Sequence, residues 1–201
     1  NVGPTSEGLI PPPSVELLEG IGQWMAVNAE AIHGASPNPW PYEFAWGRVT
    51  TKGNKLYLIL TEWTEKLKLF GLRNQVTKAY TLDGAQPVTV TQNGDTVTLA
   101  LPADAPDPLI SVIAVEFEGA LDVDTTIAQQ MNGGVSLPAY LAAREGDMSL
   151  STGKMIEGWK EPQGSLTWQF KVSEPGKFLV RVVVGTHYHP ADAVEGHEVM
   201  V

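Results

Sequence analysis

Residues 1–40 read NVGPTSEGLIPPPSVELLEGIGQWMAVNAEAIHGASPNPW. They hold the clearest helix signal in the chain, and what flanks that helix decides the fold. Leu17, Leu18, Ile21, Trp24 and Met25 fall at i, i+1, i+4, i+7 and i+8, which places them on one face. Ser14, after Pro11-Pro12-Pro13, is the expected N-cap, and Glu16 suits the positive end of the helix dipole. Gly34 and Pro37 stop the pattern, so the expected helix covers about 14–33. Ahead of it, Asn1-Val2-Gly3-Pro4 reads as a strand end entering a loop, with no initiator Met, charged n-region or apolar h-region. A helix with so wide an apolar face must bury it against something substantial.

From Trp40 to Asp122 the period becomes strand-like. KLYLILTEW (55–63) is a candidate buried strand, and Lys66-Leu67-Lys68-Leu69 alternates as a half-exposed strand does. VTVTQNGDTVTLAL (88–101) is a hairpin, with Asn93-Gly94 expected at a tight primed turn. LISVIAVEF (109–117) reads as an interior strand rich in β-branched residues. This density of short strands predicts a β-sandwich over 40–123. DTTIAQQMNGGV (124–135) shows no sustained period and reads as a linker. Beyond it, SLTWQFKVS (165–173) and KFLVRVVVG (177–185) are strand candidates, so 136–201 reads as a partial β module.

Composition narrows the classes. The chain has 201 residues, of which 43% are hydrophobic and 18% charged, the range of a globular chain rather than a disordered one. A net charge of −10 without any Lys/Arg cluster argues against a nucleic-acid partner. No apolar run reaches the roughly 18 residues that would mark a transmembrane helix. Cysteine is absent, which removes disulfides and thiolate metal sites and is compatible with cytoplasm, periplasm or secretion. The compartment stays open, with a secreted or periplasmic parent protein compatible with the chain.

Few residues suggest chemistry. In a strand, His187 and His189 would project from one face, and with Glu195, His197 or Glu198 they could hold zinc; a polar loop explains the same residues more simply. Glu62 with Glu65, or Asp104 with Asp107, could supply the paired carboxylates of a glycosidase, but nothing singles out either pair from solvated surface charge. Of the six tryptophans, Trp24 belongs to the helix's apolar face, while Trp40 and Trp46 flank the helix-to-sheet junction and read as interdomain packing. Trp63 ends a strand and could be core or surface. Trp159 and Trp168 are the best candidates for stacking on sugar rings, against a core-packing alternative. No phosphate-binding glycine loop or G-x-S-x-G elbow occurs, and the residues call for no metal or cofactor.

Read as motifs, residues 1–40 resemble the end of the catalytic barrel in α-L-fucosidases of glycoside hydrolase family 29. That family runs from a last barrel strand ending Asn-x-Gly-Pro, through an acidic-Gly turn and Ile-Pro, into a helix. The helix closes on Gly-x-Trp-Leu-x-x-Asn-Gly-Glu-Ala-Ile-Tyr. The matching residues are Asn1-Val2-Gly3-Pro4, Glu7-Gly8, Ile10-Pro11, Gly22-Gln23-Trp24-Met25 and Asn28-Ala29-Glu30-Ala31-Ile32-His33, with Ala29 and His33 as departures. Trp46-Gly47-x-x-Thr50, Lys52-Gly53, Tyr57 and Leu101-Pro102 resemble the C-terminal β-sandwich of the same family.

The resemblance implies a mostly β chain in three parts. Residues 1–39 are the last strand, loop and helix of a (β/α)8-like barrel, 40–123 the β-sandwich, and 136–201 a second, partial β-sandwich module. The whole enzyme implied is a retaining exo-glycosidase that removes terminal α-L-fucose from fucosylated glycans. Its catalytic carboxylates belong to the preceding barrel, so none is assigned to this chain, and that barrel is the expected partner. Asn1 and Gly3 would lie at the rim of the last barrel strand, near the substrate pocket. Trp24, Trp40 and Trp46 would pack barrel against sandwich. The alternative is a non-catalytic scaffold or carbohydrate-binding module using Trp159, Trp168 or Trp63. A single barrel helix cannot bury its own face, so 1–33 is expected to be disordered, or packed on its own sandwich or a partner.

Overall fold

The computed structural model describes residues 3–159 and 163–182. The chain divides into two compact units, 1–125 with 130–132, and 126–129 with 133–201.

The first unit opens with helix α1, Pro12–Asn28, continued by a 3-10 turn at Ala29–Ala31. The helix therefore starts earlier and ends sooner than the expected 14–33. Its N-cap is Pro11 rather than Ser14, and the Ser14 N–H instead donates to the Pro11 carbonyl at 2.9 Å. The reason is chemical: a proline in the first helical turn gives up an N–H that would have no partner there, and its fixed φ suits the helix.

Seven strands follow: β1 Gly47–Lys52, β2 Lys55–Leu60, β3 Lys66–Phe70, β4 Val76–Thr81, β5 Thr89–Asn93, β6 Thr96–Ala100 and β7 Ser111–Phe117. They form a four-stranded sheet in the order β1-β2-β7-β4 and a three-stranded sheet in the order β3-β6-β5, all neighbours antiparallel. The fold is a β-sandwich. Its interior takes Val49, Leu56, Leu58, Leu60, Ile113, Val115 and Phe117 from the larger sheet, and Leu67, Leu69, Val97 and Leu99 from the smaller. The smaller sheet shows period-2 burial, as a sheet with one wet face must. Strand β7 is different, buried at six of its seven positions on both faces. Something therefore covers the outer face of the larger sheet, and that element is the end of α1.

The β5–β6 hairpin turns on Gly94-Asp95, one residue later than the Asn93-Gly94 expectation, because Asn93 still pairs with Thr96. Only Gly94 takes a positive φ (59°), and a glycine first in a two-residue loop is the type II′ pattern.

The second unit consists of short ladders. Strand β8 (Ile127–Ala128) pairs parallel with β13 (Phe170–Lys171), β9 (Ala143–Glu145) antiparallel with β12 (Ser165–Thr167), and β10 (Ser149–Leu150) antiparallel with β11 (Ile156–Glu157). The stretch read as a linker thus carries β8. Within 177–185, residues 177–182 belong to no strand, and 183–185 lie outside the described residues. Buried Gln129 organises this unit. Its N–H donates to Lys171 O, and its Oε1 accepts from the N–H groups of Ser173 and Glu174 at 3.0 and 2.8 Å. Gln129→Leu leaves those two N–H groups without that acceptor. It is expected to weaken the β8–β13 ladder by about 2 kcal/mol, read as faster amide exchange at 171–174.

Candidate functional site

Antiparallel register places one row of side chains on the outer face of the larger sheet. Thr50 pairs with Tyr57 and Lys52 with Lys55; Tyr57 pairs with Ala114 and Lys55 with Glu116; Tyr80 lies opposite Ala114. Since side chains alternate faces along a strand, these residues share a surface. The end of α1 and its 3-10 turn lie on it. Ala31, Tyr57, Val112 and Ala114 form a buried cluster, with Trp24, Ile59, Tyr80 and Leu82 packed around it. The Trp24 indole N–H donates to the Ile110 carbonyl at 2.8 Å, so the ring is anchored at both its apolar and its polar end.

A helix end leaves carbonyls without intrahelical donors. Here the sheet supplies donors: the Thr50 hydroxyl donates to Ala31 O at 2.6 Å, and the Lys52 ammonium donates to His33 O at 2.9 Å. The lysine also places positive charge at the negative end of the helix dipole. Between them sits Glu30. Its Oε1 accepts from the Lys55 ammonium at 2.9 Å and from the Tyr57 hydroxyl at 2.5 Å. Lys55 also donates to the Tyr80 hydroxyl at 3.1 Å and lies 3.5 Å from a Glu116 carboxylate oxygen, while Tyr80 donates to that same oxygen at 3.0 Å.

The electrostatics follow from these contacts. The Tyr57 hydrogen bond, and then Lys55, hold the Glu30 carboxyl below its ordinary range. Burial, reinforced by Glu30, pushes the Tyr57 phenol up. Hydrogen bonds from Lys55 to Tyr80 and Glu30 raise the lysine further. A carboxylate whose folded pKa is depressed stabilises the fold above its unfolded value, and that contribution is lost as pH falls through the folded value. The joint is therefore expected to loosen below about pH 4, and Glu30→Gln is expected to flatten that acid limb. Amide exchange at residues 24–33 followed against pH reads both. Each group in this network binds another, and together they tie the helix end to the sheet.

The other half of the helix is bare. Leu17 and Ile21 share the stripe of Trp24 and Asn28, yet they are 70% and 58% exposed, and Leu18 beside them is also exposed. Leu9, Ile10 and Val15 extend this apolar surface.

The other residues singled out in the sequence are scattered. Asn1 lies outside the described residues; Gly3 is exposed, with open space where a Cβ would stand. Trp40 and Trp46 are buried at 2% and 4% exposure on either side of Phe44, which stacks on Trp46 at 4.7 Å and meets Trp40 edge-on at 5.2 Å. Trp63 donates to Pro102 O, and half-buried Trp168 to Pro138 O. Trp159 is 40% exposed. Glu62, Glu65 and Asp104 are exposed, whereas Asp107 accepts from the N–H groups of Leu109 and Ile110 at 2.8 Å and shapes the turn into β7. His187, His189, Glu195, His197 and Glu198 lie outside the described residues, among which no set of three or more potential ligands is grouped for a metal. Reasoning from sequence missed Lys55, Tyr80 and Glu116. The available signal was their place on alternating strand positions opposite an acidic residue at a helix end.

Comparisons with known proteins agree with the geometry. No family model matches the chain. A tissue alpha-L-fucosidase from Bos taurus is 42% identical over 67 residues, 32% of this chain and 14% of that protein. An alpha-L-fucosidase from Branchiostoma floridae is 31% identical over 117 residues, 54% of this chain and 26% of that protein. The solved alpha-L-fucosidase from Vibrio sp. strain EJY3 is 29% identical with a TM-score of 0.59, over 75% of this chain and 30% of its own. A GH29 alpha-L-fucosidase from Bacteroides thetaiotaomicron, 22% identical, shares the fold with a TM-score of 0.53 over 59% of this chain and 28% of its own. The chain thus spans between 14% and 30% of the length of these relatives. In sequence and in fold, it is similar to the C-terminal part of the α-L-fucosidases of glycoside hydrolase family 29.

Proposed function

We propose that the chain is the C-terminal, non-catalytic part of a retaining exo-α-L-fucosidase, which hydrolyses terminal α-L-fucose from glycoconjugates. Residues 1–39 complete the catalytic barrel of the parent protein, and the sandwich of 40–123 holds the last barrel helix in place. Residues 124–135 lead into the further module of 136–201. The catalytic carboxylates belong to the preceding barrel, and Asn1 and Gly3 border its pocket without a chemical step. Trp24, Trp40 and Trp46 form the packing between barrel and sandwich. The observation that carries this reading is the two-sided helix: one half of its apolar stripe is clasped by the sandwich, the other is bare.

The test is reconstitution. An N-terminal α-L-fucosidase barrel lacking its C-terminal part is mixed with this chain and followed by sedimentation and thermal unfolding. The expected result is association and a higher barrel Tm, both lost in Leu17→Asp/Ile21→Asp. Absence of association would overturn the proposal.

A second reading, glycan binding by the C-terminal module, is favoured by the exposure of Trp159. Fluorescence titration with fucosylated oligosaccharides tests it. A saturable shift lost in Trp159→Ala supports a stacking platform; no shift leaves the module structural.

A further inference from the structure

We propose that Asn132 is a site of spontaneous covalent modification: its side-chain amide closes on the Gly133 nitrogen and ends as aspartate or isoaspartate. The proposal stands independently of the fucosidase reading.

The nucleophile built in beside an asparagine amide is the backbone nitrogen of the next residue. Attack forms a bond from that nitrogen to Cγ and breaks the Cγ–Nδ2 bond. Nδ2 leaves as ammonia, taking up the proton that the backbone nitrogen gives away. Water then opens the cyclic imide at either carbonyl. One product is aspartate; the other is isoaspartate, with the side-chain methylene now in the main chain. Nothing is oxidised or reduced, and water is the only co-reactant. The rate depends on the bulk of the next residue, which is least for glycine, and on how freely the backbone can turn that nitrogen toward Cγ.

The structure sorts the asparagines by these two criteria. Asn38 precedes Pro39, whose nitrogen has no proton to give. Buried Asn28 is held through Nδ2 to Trp24 O, and Asn54 through Nδ2 to Phe117 O. Asn74 donates to the Glu118 and Ala120 carbonyls and accepts from the Asp122 N–H. Only Asn93 and Asn132 precede glycine.

These two differ in what holds the backbone. Asn93 ends β5 and pairs with Thr96, and the Gly94 carbonyl accepts from Gln92 Nε2 at 3.3 Å. Ring closure turns the asparagine out of the extended conformation, so Asn93 reacts only when that pair opens. Asn132 lies in an exposed turn outside every strand and helix. Gly133 follows it with φ at 80° and open space where a Cβ would stand. Gln129 holds Gly133 by its carbonyl, at 3.0 Å, which is not the atom that must attack. The Asn132–Gly133 bond also carries the chain from the first compact unit into the second. Isoaspartate there lengthens the connection by a main-chain bond, and either product adds a negative charge.

Incubation of the 201-residue chain at mildly alkaline pH, followed by digestion and mass spectrometry of the peptides, tests this. Asn132 is expected to convert about tenfold faster than Asn93, the factor set by opening the Asn93–Thr96 pair. Isoaspartate is expected among the products at Asn132. In denaturant the two rates are expected to converge, because the fold alone separates them. Asn132→Gln is expected to abolish most of the early ammonia release, and Asn93→Gln to leave it nearly unchanged. Conversion of Asn93 as fast as that of Asn132 in the folded chain would overturn the proposal. So would an unmodified Asn132 under conditions where the unfolded chain converts, a product without isoaspartate, or a preference for Asn132 undiminished by denaturant.

Discussion

Gly47→Ala is expected to prevent the sandwich from assembling, the largest effect of any single substitution considered. Gly47 begins β1 opposite Leu60, with φ at +153°, where side chains are rarely tolerated. An added Cβ would stand 2.0 Å from the Ile59 carbonyl oxygen and 3.1 Å from the Leu60 Cα. Both are backbone atoms of a central strand, so relief requires shifting β2 and, through it, the β2–β7 pairing. Overpacking against side chains costs about 1–3 kcal/mol, and a backbone collision exceeds that range. Thermal unfolding is expected to show a Tm lower by roughly 10 °C or more, or no cooperative transition. The glycine of the Trp46-Gly47-x-x-Thr50 motif is thus a requirement of close strand approach.

Tyr57→Ala is expected to be nearly as damaging, by about 3–5 kcal/mol. The ring lies between the sheet and the helix end, in the cluster with Ala31, Val112 and Ala114, so its removal opens a cavity beneath the joint. It also takes a hydrogen-bond donor from Glu30. Urea denaturation followed by far-UV circular dichroism measures the loss, and amide exchange locates it. Protection at residues 24–33 is expected to fall at lower urea than that of the sheet strands, because the helix end loses its seat first.

Much of the architecture was legible because short-range patterns carry it. The alternation at 66–69 and 88–101 gave β3, β5 and β6, and the continuous apolar run at 109–117 gave the doubly buried β7. Helical spacing put Leu17, Leu18, Ile21, Trp24 and Met25 on a single stripe, but it could not show that the stripe divides into a seated and a bare half. That division depends on where the sandwich ends, which is a tertiary matter. The helix limits moved because Pro12 and Pro13 fit the first turn, and the hairpin turn moved because Asn93 remained in the ladder.

The joint was only half legible. The family motif contains Glu30, Thr50, Lys52 and Tyr57, yet their shared task appears only once register brings them to one face. Lys55 and Glu116 meet because β2 and β7 are neighbours in the sheet, and Tyr80 joins them because β4 lies on the other side of β7. No local window holds that information. The candidate stacking tryptophans and paired carboxylates drew attention by residue type alone, and Asp107 proved to be a turn residue.

The central claim is that this chain supports an α-L-fucosidase barrel without performing the chemistry itself. The most direct measurement is hydrolysis of an aryl α-L-fucoside by the purified 201-residue chain. The account predicts no release of the aryl group above the buffer rate at any chain concentration. Saturable turnover that rises in proportion to the chain and persists through purification would contradict it.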